Sequence, residues 1–156
     1  MFEEMRRGDR GLDEAATKDI LAKGLYGVLS LQGDGYPYGV PLSYVYDGDG
    51  LYFHCAMEGK KLGLIRRQPK AAFCVVSGAA PMTDARSMRY ESAMVFGTLS
   101  EVTDEAERLA ALLAIVAKYA SDDQYVAAGH EQAVNSLTKT AVLRMTVEHM
   151  TGKARR

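Results

Sequence analysis

A mainly β fold, a six-stranded antiparallel β-barrel with peripheral helices, is what this sequence predicts, and three observations carry the expectation. Short segments rich in Val, Leu, Tyr and Phe recur along the chain. Gly/Asp clusters suited to hairpin turns separate the first of them. Helical spacing is confined to three stretches, Leu12 to Gly24, Lys60 to Arg67 and Asp104 to Ser136. The 156 residues, 47% hydrophobic and 25% charged, suit one domain with a core of its own, and no repeat, linker or low-complexity stretch divides them.

Asp13 can cap the free amides of a first helix, in which Leu12, Ala16 and Ile20 recur at four-residue spacing until Gly24 stops it. Tyr26 to Leu31 is the first strand, and Gln32-Gly33-Asp34-Gly35 turns it into a second that runs from about Tyr38 to Tyr46. Asp47-Gly48-Asp49-Gly50 turns the chain again into Leu51 to Ala56, so a meander is expected. Lys60 to Arg67 is a short helix ended by Gln68-Pro69, because the residue before proline is driven out of the helical region. Lys70 to Val76 is the fourth strand.

Ser77 to Arg86 (SGAAPMTDAR) has no periodicity and is expected as a mobile loop able to act as a lid. Ser87 to Val102 is a long strand in which Gly97 predicts a bulge. Asp104 and Glu107 form a capping box over a helix with Leu109, Leu112, Leu113 and Val116 on one face, ending near Ala120. Ser121 to Ser136 reads as a weaker helix broken at Gly129. Thr140 to Val147 is the last strand, followed by a polar, basic tail from Glu148 to Arg156.

Composition narrows the function classes. With 19 basic and 20 acidic side chains the chain has no general field for nucleic acid or an anionic membrane, so any anion must be held locally. MFEEMRRGDRG is followed by no apolar run, and no later run approaches a membrane span, which predicts a cytoplasmic protein. Cys55 and Cys74 lie in apolar strand-like segments and read as reduced core thiols. His54, His130 and His149 have no metal-site spacing, and no phosphate-cradling Gly-rich loop precedes a helix.

The stretch from Gly39 to Lys61 concentrates the remaining chemistry. A two-residue turn inside Asp47–Gly50 would set Val45 opposite Tyr52, Ser43 opposite His54 and Pro41 opposite Ala56 on one face. Val40, Leu42, Tyr44, Leu51, Phe53 and Cys55 form the other face, apolar enough for a barrel interior. Lys60 and Lys61 open a helix, where the macrodipole disfavours cations and the free amides favour an anion. Two readings stand side by side: a bound phosphate resolves that conflict, or Glu58 and solvent screen two exposed lysines at a cost of about a few tenths of a kcal/mol. A lone strand histidine is more often structural than catalytic, and only its place before the lysines singles out His54.

Taken together, YGVLSL, GDGYPYGVPLSYVYD, LYFHCAMEGKKLGLIRRQPKAAFCVV, RYESAMVFG and the terminal TGKARR resemble the nitroimidazole-resistance branch of the pyridoxamine 5'-phosphate oxidase-like flavoproteins, over about Met5 to Arg156. The resemblance implies an FMN-binding split barrel, a homodimer with FMN at the subunit interface. It puts Val40, Pro41, Leu42 and Ser43 along the flavin ring, with His54 and Cys55 beside it and Ala56 next in the same stretch. It makes Lys60 and Lys61 the phosphate anchors, Ser92 a polar contact and Lys153 of Thr151-Gly152-Lys153 a terminal contact.

The implied activity is reduction of small nitroaromatic or quinone-like molecules, with NADH or NADPH as possible donor and His54 as the catalytic residue. Two alternatives follow from the same resemblance. One is a flavin or haem carrier without turnover, with His54 as an axial haem ligand. The other is a pyridoxamine 5'-phosphate oxidase-like oxidase, against which stands a C-terminus that lacks tryptophan and the family's basic, aromatic grip on substrate phosphate.

Overall fold

The computed structural model describes residues 2–83 and 87–155. Its strands are β1 (Gly11–Leu12), β2 (Gly27–Leu31), β3 (Tyr38–Leu42), β4 (Val45–Tyr46), β5 (Gly50–Ala56), β6 (Lys70–Met82), β7 (Ser87–Glu101) and β8 (Thr140–Arg155). Its α-helices are α1 (Glu14–Lys23), α2 (Lys60–Arg67), α3 (Glu105–Tyr119) and α4 (Asp123–Ser136). The strands form one antiparallel eight-stranded sheet in the order β3-β2-β6-β7-β8-β5-β4, with β1 beside the C-terminal half of β8.

The sheet ends, β3 and β4, are consecutive in the chain and separated only by Ser43 and Tyr44. That link can span no more than about 11 Å, so the sheet must curl until its two edges nearly meet. The expected second strand is therefore divided at a split in a barrel that hydrogen bonding does not close. Tyr44 stitches the split. Its ring is fully buried, its hydroxyl donates to the Leu21 carbonyl at 2.6 Å, and its amide donates to the Tyr119 hydroxyl at 3.0 Å. Tyr119 in turn donates to the Leu25 carbonyl at 2.6 Å.

The interior alternates as a pleated sheet requires. Leu29, Phe53, Phe73, Val75, Val95, Leu143 and Met145 fill it, with Ile20 and Leu21 of α1 and Leu62, Leu64 and Ile65 of α2 packed against them. A second, smaller core joins α3 and α4 to the outer side of β5 and β8 through Tyr52, Ala111, Leu112, Ala133 and Val142. Asp13, Asp104 and Asp122 cap α1, α3 and α4 by accepting from backbone amides. The extra residue is Glu148 of β8, and the irregularity expected on β7 lies opposite it at Gly97, where the register shifts. A Cβ there would lie 2.1 Å from the Thr146 carbonyl oxygen.

Four expectations are corrected. The meander is absent, because β2 leaves β3 for β6 and β5 pairs with β8. Ser77 to Met82 is not a loop but the continuation of β6, paired with β7 across a bulge at Val76/Gly78. Its other side has no neighbour in β2, whose pairing stops at Val75, so Pro81 lies where β6 is an edge, a position that proline tolerates. Residues 84–86 of the expected loop lie outside the described residues. Gly129 does not break α4, because it faces Val116, whose Cγ1 would lie 2.5 Å from an added Cβ; the glycine lets the two helices close on each other.

The supposed tail is the second half of β8. Gly152 and Ala154 turn inward there, and a Cβ on Gly152 would meet Thr17 Oγ1 at 2.1 Å, so this glycine admits α1 against the strand.

Candidate functional site

The Asp47–Gly50 turn pairs Val45 with Tyr52 and Tyr46 with Leu51, the register the turn chemistry implies. It holds only that far. Because the strand breaks at Ser43, Pro41 pairs with Val28, His54 with Val142 and Ala56 with Thr140; the expected facing of Ser43 with His54 and of Pro41 with Ala56 does not occur. The interior face is as expected: Tyr44, Leu51 and Phe53 are buried, and Val40, Leu42 and Cys55 pack on the core half-buried. Pro41 sits on the terminal strand of the sheet, where a missing N–H is tolerated.

Directly after β5, Gly59 begins α2 with φ 130°, a left-handed conformation that glycine adopts without strain. No side chain caps this helix and its first turn holds no acid. The Gly63 amide returns to the Gly59 carbonyl at 3.2 Å, which leaves the amides of the opening turn before it without helical partners. Lys60 and Lys61 stand at this end. Lys60 Nζ lies 5.0 Å from the Tyr38 ring centroid, and among the described residues neither lysine forms an ion pair, so Glu58 does not neutralise them. Paired hydrogen bonds of 2.8 and 2.9 Å from Arg67 to Asp34 tie the far end of α2 to the β2–β3 turn.

Lys61 connects this end to β5. Partial desolvation, and then the nearby Lys61 charge, hold the His54 imidazole below its ordinary value of 6.5. Burial raises the Cys55 thiol, and Lys61 partly offsets that rise. Cys55 and Cys74 are both free thiols. Since the folded His54 binds its proton less readily than the unfolded one, its contribution to stability is unchanged well above pH 6.5. It turns unfavourable as pH falls through 6.5 and levels off below the folded value. A histidine NMR titration should place the His54 midpoint below 6.5, and Lys61→Ala should move it upward; a midpoint at or above 6.5 would refute this environment.

Other predicted residues gather on the outer face of β3, β2, β6, β7 and β8. Cross-strand partners share a face, so Pro41, Val28, Cys74, Met94 and Thr151 form one row and Val76, Ser92 and Lys153 the next. Ser92 Oγ donates to the Lys153 carbonyl at 3.4 Å. Tyr90 faces this group: a hydrogen bond from Arg10, with the Lys153 charge beside it, lowers its phenol from the ordinary value.

Within one chain, then, His54, Cys55, Ala56, Lys60 and Lys61 form one set and Pro41, Ser92 and Lys153 another. Ala56 pairs near the start of β8 and Ser92 near its end. Sequence reasoning missed Tyr38, Tyr90 and Arg10. Only the strand register, which no local pattern carries, sets the last two beside Lys153. Among the described residues no group of three His, Cys, Asp or Glu side chains could hold a metal ion, and no helix is long and apolar enough to cross a membrane.

The chain resembles several solved structures. A candidate 5-nitroimidazole antibiotic resistance protein of Bacteroides thetaiotaomicron is 25% identical with a TM-score of 0.77, over 92% of this chain and 85% of that one. A flavocytochrome of Azotobacter vinelandii shares the fold at 18% identity and TM-score 0.81, over 99% and 73%. An FAD-binding protein of Mesorhizobium loti does so at 23% and 0.67, over 94% and 98%. Among curated proteins none matches the sequence at a significant level. The pyridoxamine 5'-phosphate oxidase family profile matches residues 13–154, nearly the whole of the split barrel described above, and the chain belongs to that family.

Proposed function

We propose that this protein binds FMN and uses it as an oxidoreductase on small nitroaromatic or quinone-like molecules. The observation that carries the reading is the α2 N-terminus: free amides, two ammonium groups without an ion pair among the described residues, no acid in the first turn and no side-chain cap, beside His54 and Cys55. A phosphate dianion fits such an end, since dipole, amides and cations all favour it. The solved structures of a flavocytochrome and of an FAD-binding protein with this fold support a flavin as the class of cofactor.

Lys60 and Lys61 would hold the phosphate. β3 is a terminal strand bonded to β2 alone, so part of the backbone of Val40, Pro41, Leu42 and Ser43 is available to the polar edge of the ring. When bound, the flavin supplies the two-electron chemistry, taking reducing equivalents from a nicotinamide donor and delivering them to the substrate. His54, neutral at pH 7, has one ring N–H to donate and one ring nitrogen to accept, so it can position a substrate oxygen or pass it a proton. Anaerobic mixing of the FMN-loaded protein with NADH or NADPH, then with a nitroimidazole or a quinone, should bleach and restore the flavin bands. Bands that no donor bleaches would reduce the protein to a carrier.

A second copy of the chain completes the reading. The outer face with Ser92 and Lys153 carries Val28 and Val76, 39% and 54% exposed, and a homodimer through it would bring these residues to the other copy's α2. Sedimentation should give a dimer for the wild type and a shift toward monomer for Val76→Glu; a monomeric wild type would remove Ser92 and Lys153 from the site.

A further inference from the structure

His54 faces away from the barrel interior, toward the helices. Between β5, the start of β8 and the pair α3–α4 lies a cavity of about 270 Å³, with Leu112, Ile115 and Val116 as its apolar wall and His54, Gln132, Ser136 and Thr140 as its polar groups. The helix pair shapes it: Gly129 brings α4 onto Val116, and Ala133 one turn later joins the buried contact with the sheet. The space exceeds the roughly 150 Å³ that holds benzene in an apolar protein cavity. It falls just under the range of about 300–1,000 Å³ typical of drug-sized ligands and opens to solvent on one side.

Among the described residues the imidazole of His54 has no hydrogen-bond partner. The residue is exposed, so solvent reaches the ring, and its nitrogens are open to a ligand oxygen that takes the place of water. The Thr140 hydroxyl and that of Ser136, which makes only a 3.5 Å contact with the Ala133 carbonyl, supply further polar groups. The lining thus matches a flat apolar body with oxygen at its edge.

We propose that this cavity is the ring-binding pocket for a single-ring aromatic molecule bearing oxygen, of the phenol or quinone class, with His54 as its hydrogen-bonding anchor. The pocket rests on the functional reading above for its role as the substrate's seat. It does not rest on it for binding, since its walls come from β5, β8, α3 and α4 alone. In this arrangement α3 and α4 select ring size, and His54 joins the pocket to the Lys61 end of the site.

The test uses 4-methylphenol, a redox-inert member of the class, titrated into flavin-free and FMN-loaded protein with NMR observation of the His54 ring and of the Leu112 and Ile115 methyl groups. Saturable shifts at these groups, with Val76 on the other side of the sheet unmoved, are expected. Ser136→Trp should weaken binding by about tenfold or more by filling the pocket from its rim. Should that variant unfold, Gln132→Trp makes the same blockade from the exposed side of α4.

Absence of a His54 shift, or equal binding by a folded tryptophan variant, overturns the pocket. FMN that binds while 4-methylphenol does not leaves the flavin reading intact and removes the pocket. The reverse supports the pocket and removes the flavin reading. Simultaneous binding with no change in the flavin spectrum overturns its role as the substrate's seat.

Discussion

Replacing both lysines that open α2, in a Lys60→Ala/Lys61→Ala protein, is expected to weaken FMN binding by about a hundredfold or more. Each charge-assisted hydrogen bond to a phosphate contributes about 1.5–3 kcal/mol, and every 1.4 kcal/mol is about tenfold in affinity. The larger share falls to Lys61, which is half-buried and electrostatically coupled to His54 and Cys55. Lys60 is exposed, so solvent screens part of its effect.

The fold itself should be nearly indifferent to the change. Neither lysine holds an ion pair among the described residues, and the contact of Lys60 with Tyr38 is of the exposed kind worth about 0.5–1 kcal/mol. Arg66→Ala serves as the control: it removes a cation from the same helix, but one already engaged by Glu101 at 2.6 Å, and FMN affinity should hold. A double variant that bound FMN like the wild type would remove α2 as the phosphate site.

Phe73→Ala is expected to lower the thermal midpoint more than any change at the site. Phe73 is fully buried, with Tyr44 and Phe53 each at 4.9 Å and nearly edge-on to it. Removing such a ring costs about 3–5 kcal/mol in lost transfer energy and an unfilled cavity. For a chain of this length that is a fall of about 6–20 °C by calorimetry. Because Tyr44 leans on the lost ring and closes the split between β3 and β4, FMN affinity should fall with it when measured near the new midpoint. A shift under about 2 °C would mean that the three aromatic rings do not organise the core as a unit.

The contrast between these two predictions reflects what local sequence can carry. α2 was legible with its bounds, Lys60 to Arg67, because Gln68-Pro69 is a local stop signal. Asp13 and Asp104 were legible as caps for the same reason. The Asp47–Gly50 turn set the register of its nearest pairs correctly, but nothing local announces that the strand breaks at Ser43. That break depends on Tyr44 finding Leu21 and Tyr119, distant in sequence.

Pairing of β5 with β8 and of β2 with β6 is likewise a matter of long-range closure. Small residues misled twice in the same way. Ser77 to Ala80 and Thr151 to Ala154 have no strong strand preference, yet each runs along β7, and Gly152 is there because α1 leaves no room for a side chain. The Gly129 misreading has the same origin: a glycine that looks like a breaker is a contact point for a helix arriving from elsewhere. The candidate site divides along the same line. Lys60 and Lys61 followed from spacing, whereas the cavity over His54 requires α3 and α4, about sixty to eighty residues downstream.

The central claim is that the open end of α2 seats the phosphate of FMN. Titration of the flavin-free protein with FMN, followed by quenching of flavin fluorescence, tests it most directly. Saturable binding of one FMN per chain, competed by inorganic phosphate and weakened by Lys61→Ala, is the predicted result. Fluorescence that stays that of free flavin throughout the titration would contradict it.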